Sequence, residues 1–129
     1  MEETASIDPD ILVESSQKYI DDYSCCICQL IPNPQTAIED ENCGHLFCSL
    51  CIDEWLKTKI NCPICKMKIS KRLIKDKNKM VYRHLLNLII KCPVFDCQWK
   101  GIWNQYNDHL KNIRNRIIEV NNNTTYYEL

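Results

Sequence analysis

The first thing this 129-residue sequence lacks is an excess of either charge, since sixteen Lys and Arg face seventeen Asp and Glu for a formal net charge of -1. That balance takes a strongly basic nucleic-acid binder and an acidic tail protein out of the leading candidates. Long apolar runs are missing too. The greasiest stretch, Leu85–Ile90, is interrupted by Asn87 and falls well short of the ~18 residues of a membrane-spanning helix, so no membrane partner is expected. The Met1–Asp22 stretch is acidic, with no basic segment leading into an apolar one. No secretory signal is therefore expected, and the chain reads as intracellular, cytoplasmic or nuclear. Aromatics are few, with three Trp, six Tyr and two Phe. So modest a core calls for metal or disulfide staples.

What the sequence does have is ten cysteines. Inside the cell thiols stay reduced, which favours metal over disulfides. Three of the cysteine pairs also lie three residues apart, a spacing that ordinary disulfide geometry hardly reaches. Over residues 25–65 the metal-ligating types run Cys25-x2-Cys28, Cys43-x-His45, Cys48-x2-Cys51 and Cys62-x2-Cys65. Four pairs give eight ligands, enough for two tetrahedral zinc ions. A Cys-x2-Cys turn brings both sulfurs to one side of a tight loop, where backbone amides stabilise the thiolates. Each ion closes a loop between two pairs, so metal binding contributes folding free energy directly.

The order three Cys, one His, four Cys at these spacings resembles the RING finger. A PHD finger carries its histidine fifth among the ligands rather than fourth, and a LIM module needs a different spacing. The resemblance implies a cross-brace, with Cys25, Cys28, Cys48 and Cys51 on one zinc and Cys43, His45, Cys62 and Cys65 on the other. Seven thiolates and two zinc ions would then move the net charge to about -4. Cys26 is left as a spare thiol. All other thiols here are ligands, so the module has no nucleophile beside a base, and four protein ligands leave no open metal position for water. Its function must come from its surface.

In ubiquitin ligases of this class, that surface is a shallow apolar groove for a ubiquitin-conjugating enzyme. The resemblance carries over to Ile27 between the first two ligands, Trp55 four residues after Cys51, and Pro63 and Ile64 between the last two. Apolar groups clustered on solvent-facing loops are a partner-site signature. Lys66 follows the last ligand, where active family members place a cation, most often Arg, that bridges ubiquitin and the conjugating enzyme. Lys departs from that pattern, because an ammonium lacks the planar fork of a guanidinium.

Further on, Cys92-x4-Cys97-x-Trp99-x-Gly101-x-Trp103-x2-Tyr106-x2-His109, with its lead-in helix Arg83–Lys91, resembles the zinc fingers of TRAF-type and seven-in-absentia-type ligases. Cys92, Cys97 and His109 would be three ligands of a third zinc. The fourth, usually a Cys shortly after the His, is absent from Leu110–Arg116. Two outcomes stay open: Asp108 or a water completes a weaker site, or the metal is lost and Trp99, Trp103 and Tyr106 keep the fold. His84 is a remote alternative ligand.

Local patterns predict a helix from the Asp8 cap and Pro9 through about Tyr23, and strands at Thr36–Ile38 and His45–Phe47 around a polar turn over Glu39–Gly44. Helices are expected over Ser49–Lys57, with Trp55 and Leu56 inward, and over Met80–Ile90, with Val81, Leu85, Leu88 and Ile89 on one face. A hairpin turning at Lys100–Gly101 and a final helix capped by Asn104 complete the pattern. The fold class is a small α+β zinc-stabilised protein: an acidic segment over 1–23, a RING at 24–67, a basic connector and helix over 68–91, a TRAF-like finger at 92–116 and a tail over 117–129. The connector lacks regularly interleaved aromatics and the chain is not basic overall, which disfavours nucleic acid. The expected function is a RING-type ubiquitin ligase that moves ubiquitin from a charged conjugating enzyme to a lysine of an unidentified substrate. The alternative is a non-catalytic zinc-binding adaptor, and a homodimer stays open.

Overall fold

Asp8 and Pro9 do begin a helical turn, but the chain does not continue it to Tyr23. In the computed structural model, which describes residues 6–122 with side chains placed through Ile113, the Asp8 carboxylate accepts the Asp10 N–H at 2.8 Å and caps a 3-10 turn over Pro9–Ile11. The backbone then becomes extended at Leu12, which is fully buried and forms an antiparallel bridge with Ile90. A second 3-10 stretch, Glu14–Tyr19, and a short helix α1, Ile20–Tyr23, follow. The single helix expected over 8–23 is broken because burying Leu12 against a strand requires extended backbone. Burial of a leucine side chain stabilises by about 1.5–3 kcal/mol, more than one helical turn contributes. A second bridge pairs Ile7 with Ile31 through two 2.9 Å backbone bonds.

A three-stranded antiparallel sheet follows, ordered β2-β1-β3, from β1 (Ile38–Asp40), β2 (Leu46–Phe47) and β3 (Lys71–Leu73). The first strand lies two residues later than expected, and Glu39 and Asp40 are buried in it rather than exposed in a turn. Both carboxylates are tolerated because both are satisfied. Glu39 faces Arg72 Nε at 2.7 Å and accepts from Asn78, while Asp40 accepts the N–H groups of Asn42 and Ser70. The turn itself narrows to Glu41–Cys43 and Gly44, whose φ of 77° and N–H bond to the Asp40 carbonyl reverse the chain. Strand β3 has no counterpart in the sequence reading. It carries the sheet into the segment assigned to the connector.

Helix α2, Ser49–Trp55, buries Ile52, while Trp55 and Leu56 are only half-buried. After the short helix α3, Ile74–Lys77, Asn78 caps α4, Lys79–Leu86, by accepting the Val81 N–H. Helix α4 ends four residues before Ile90. Asn87 terminates it, and the chain buries Leu88 and Ile90 on its way into β4, Ile90–Lys91. Strand β4 pairs with β5, Lys100–Gly101, so those residues are strand and the turn lies over Val94–Asp96 instead. Glycine is required at 101 for another reason: a Cβ there would sit 2.5 Å from Trp99 Cζ2. The last helix, α5, spans Trp103–Asn122 and starts before Asn104, with the Ile102 N–H donating to the Gln105 side chain at its head. The tail beyond residue 122 lies outside the described residues.

Two apolar clusters result. The smaller holds Cys25, Phe47, Cys48, Ile52 and Cys62. The larger joins Ile7 and Leu12 of the N-terminal segment to Ile31, Ala37 and Leu46, then to Ile74, Leu85, Leu88 and Ile90, and finally to Trp103 and Tyr106 of α5. One core therefore runs from the first described residues to the last helix.

Candidate metal centre

Two loops of the chain fold alike. In the first, the Cys25 N–H donates to the Leu30 carbonyl and the Gln29 N–H to the Cys25 carbonyl, with Gln29 at a φ of 69°. In the second, the Cys62 N–H donates to Met67 and the Lys66 N–H to Cys62, with Lys66 at a φ of 68°. Each loop turns backbone N–H groups onto its leading sulfur. Ile27 and Cys48 donate to Cys25 Sγ at 3.4 and 3.3 Å, and Ile64 and Cys65 donate to Cys62 Sγ at 3.4 and 3.5 Å. Such donors favour thiolate over thiol. The remaining ligands come from the turn after β1 (Cys43, His45) and the head of α2 (Cys48, Cys51).

These positions converge as two sets of four, Cys25, Cys28, Cys48 and Cys51, and Cys43, His45, Cys62 and Cys65, with the ligand atoms of each set within 4.8 Å of one another. Zn–S bonds of ~2.3 Å place tetrahedral sulfurs ~3.8 Å apart. The observed Cys28–Cys48 and Cys43–Cys62 separations are 3.6 and 3.7 Å, and His45 turns Nδ1 to Cys62 Sγ at 3.6 Å. Donor type and number fit zinc, and these three separations fit its tetrahedral spacing.

The thiols themselves call for a cation. Donation from Cys48 first, then from backbone N–H groups, pulls Cys25 down to about 4. Donation to Cys25 and then burial push Cys48 up, while burial and donation to Cys28 push Cys51 up to about 12. Burial, then its bond to Asp40 Oδ2 at 2.9 Å, also raises Cys43 above the ordinary thiol range. Burial works against the Asp40 carboxylate, but the Cys43 thiol and the Ser70 and Asn42 N–H groups outweigh it and hold Asp40 below its ordinary value. Crowded sulfurs resist full ionisation, and a divalent ion bound in place of their protons would neutralise them.

A family model described as "Ring finger domain" matches residues 23–66. Those residues are a RING finger. The human E3 ubiquitin-protein ligase RNF8 is 53% identical over 45 residues, covering 31% of this chain and 9% of that protein. An E3 ubiquitin-protein ligase of Arabidopsis thaliana is 35% identical over 60 residues, 46% of this chain and 15% of the plant protein. A TNF receptor-associated factor family protein of Dictyostelium discoideum is 32% identical over 75 residues, 57% of this chain and 15% of that one. The chain thus spans a small fraction of the curated relatives it matches.

Outside its metal sets, the RING finger shows the expected partner residues at separate places. Ile27 is half-buried on the first loop and packs, with Trp55 and Leu56, against the smaller cluster. Trp55 closes α2, its indole N–H donating to the Asn61 carbonyl at 2.8 Å with Lys59 Nζ 5.7 Å from the ring centre. Pro63 is half-buried, Ile64 is 50% exposed at the tip of the second loop, and Lys66 is exposed with Nζ donating to the Pro63 carbonyl at 3.2 Å. Leu50, Ile60 and Met67 are also exposed apolar groups around this region. Sequence reasoning passed over them because no ligand spacing points to them.

A third set, Cys92, Cys97 and His109, also lies within 4.8 Å, so the RING finger is followed by a second Cys/His cluster. His84 is not in it. Its Nδ1 instead hydrogen-bonds the Tyr23 hydroxyl, and the two rings meet edge to face. Cys26 joins no set, and its N–H donates to the Leu46 carbonyl. Ser6, unremarked in the sequence, places Oγ 2.7 Å from the ligand Cys48. Among the described residues no helix is long and apolar enough to cross a membrane.

Proposed function

We propose that this protein is a RING-type E3 ubiquitin-protein ligase that binds a ubiquitin-charged conjugating enzyme and promotes transfer to a substrate lysine. The observation that carries this is the RING finger over residues 23–66, with Ile64 half-exposed on its second loop and Ile27 and Trp55 partly buried against its smaller cluster. The E3 ligases among its relatives support the same reading. Zinc, held by the two sets of four, fixes those loops and takes no part in bond making, since four protein donors leave no open position.

The chemistry belongs to the bound partners. A neutral substrate amine attacks the thioester carbonyl carbon of ubiquitin, the C–S bond breaks, the conjugating enzyme's cysteine leaves as thiolate, and the proton shed by the amine passes to solvent as the amide forms. The chain contributes position. Ile27, Trp55, Pro63 and Ile64 supply apolar contact to the conjugating enzyme. Lys66, beside them on the second loop, supplies a cation that hydrogen-bonds ubiquitin and the enzyme together and holds the thioester in an attack-ready arrangement. The C-terminal finger, on the same core as the RING finger, is the element available to choose a substrate.

Ubiquitin discharge from a panel of charged conjugating enzymes onto free lysine tests this, with wild type beside Ile27→Ala and Trp55→Ala. Discharge that either variant abolishes while zinc content stays normal supports the ligase and its groove. No discharge across the panel from folded, zinc-loaded protein makes the chain a non-catalytic adaptor, a reading that Lys in place of Arg at 66 favours.

A further inference from the structure

One side chain from outside the RING finger reaches a metal ligand inside it. Ser6 lies well before residues 23–66, which match the family model, yet its Oγ stands 2.7 Å from Cys48 Sγ. Backbone bonds hold it there. The next residue, Ile7, exchanges two 2.9 Å bonds with Ile31, each N–H donating to the other's carbonyl. Ile31 directly follows Leu30, whose carbonyl accepts the Cys25 N–H within the first zinc loop. Both isoleucines are buried, Ile31 completely. Further along, the same segment is tied to the other end of the larger core. Leu12 bridges Ile90, the Val13 N–H donates to the Ile89 carbonyl at 2.9 Å, and the buried Ser16 hydroxyl accepts the Ile89 N–H at 2.9 Å. Residues 6–16 therefore form a strap anchored at both ends, and Ser6 brings it onto a metal ligand.

The direction of the hydrogen bond follows from the metal. A zinc-bound cysteine is a thiolate with no proton to give, so the Ser6 hydroxyl donates and Cys48 Sγ accepts. A donor matters more at this set than at its neighbour. Four thiolates leave a Zn2+ centre with two negative charges, whereas Cys43, His45, Cys62 and Cys65 leave it with one. A hydroxyl beside the more highly charged set takes up part of the charge on sulfur, in a bond stronger than one between neutral groups. It also engages a lone pair through which a proton would otherwise attack Cys48 and free it from the metal. We infer that Ser6 is a positioning residue of the first zinc site: its hydroxyl donates to the Cys48 thiolate, slows loss of the ion, and makes zinc retention in the RING finger depend on a segment outside it. The inference rests on the zinc assignment and not on ligase activity.

The test uses the full zinc-loaded chain, with release into an excess of a chromogenic chelator followed in time. Partners that hydrogen-bond metal ligands typically contribute 10- to 100-fold to metal affinity, so Ser6→Ala should release its first ion roughly 10-fold faster than wild type. Ser6→Thr, which keeps the hydroxyl, should restore slow release. Ser6→Val, which has the shape of threonine without the donor, should behave like Ser6→Ala. Loading with the NMR-active isotope of cadmium locates the effect. The resonance of the four-sulfur set should move in Ser6→Ala and Ser6→Val and return in Ser6→Thr, while that of the set containing His45 stays in place. Release from Ser6→Ala at the wild-type rate, or an unmoved four-sulfur resonance, would overturn the inference. So would equal movement of both resonances, which marks general loosening, and so would a Ser6→Val variant as retentive as Ser6→Thr, which marks packing.

Discussion

Lys66 combines a backbone cost with a proposed side-chain role, and the two are separable by substitution. Its φ of 68° lies in the left-handed region, where a residue with a Cβ costs ~1–2 kcal/mol relative to glycine. Glycine recovers that cost and loses about 0.5–1 kcal/mol to the greater freedom of its unfolded chain. Lys66→Gly should therefore leave the zinc-loaded protein as stable as wild type or more stable by about 1 kcal/mol, the bond lost among the described residues being the exposed one to the Pro63 carbonyl. Discharge should move the other way. A charge-assisted hydrogen bond formed in the activated complex contributes ~1.5–3 kcal/mol, so single-turnover discharge should slow by roughly 10- to 100-fold. Lys66→Arg should raise the rate, because the guanidinium reaches two acceptors at once. Thermal unfolding and zinc content would be read on the same samples. A Lys66→Gly variant that discharges like wild type at unchanged stability would refute a bridging role and leave Lys66 a surface cation.

Other consequences follow from the packing and the metal sets. Glu39→Ala leaves Arg72 and Asn78 without their shared acceptor. Denaturant unfolding with zinc in excess should show a loss of about 2 kcal/mol, discounted from the fully buried case because Arg72 is about one-third exposed. Gly101→Ala drives a methyl group into Trp99 and Gln105. Overpacking of this kind costs ~1–3 kcal/mol, which thermal unfolding with zinc in excess should record as a lowered midpoint. Acidification should release zinc, since each thiolate ligand must take up a proton to leave the metal. Affinity therefore falls as pH falls, and an indicator dye should record release together with loss of tertiary structure. Retention of native structure after complete metal removal by a chelator at neutral pH would contradict the stapling role of zinc.

The metal sets were legible in the sequence because metal geometry dictates spacing. A Cys-x2-Cys loop needs two residues between its sulfurs whatever the rest of the chain does, so Cys25 to Cys65 could be read directly. Helix α2 is visible for local reasons too, whereas the local pattern gives Ile90–Lys91 to a helix and Lys100–Gly101 to a turn, and only their pairing with each other makes both of them strand. What escaped depends on contacts between distant segments. Glu39 and Asp40 look like turn residues until Arg72, Asn78 and Ser70 arrive from thirty or more residues away to satisfy them. Strand β3, with the sequence Lys71-Arg72-Leu73, carries no alternation strong enough to announce itself, and exists because β1 offers an open edge. Leu12 breaks its helix for a partner, Ile90, that no local pattern names. Gly101 resembles a turn residue by type, but it is small because Trp99 fills the space beside it.

The bridge from Leu12 to Ile90 also sets an order of events for a chain leaving the ribosome. Both RING metal sets are complete in sequence once Cys65 has emerged, so zinc can fold that segment early. The larger core cannot close until Trp103 and Tyr106 follow. Throughout that interval Leu12 waits without Ile90, the residue it bridges. A nascent protein already loaded with zinc thus presents an unsealed apolar face, a window for chaperone capture that shuts only when the last helix docks.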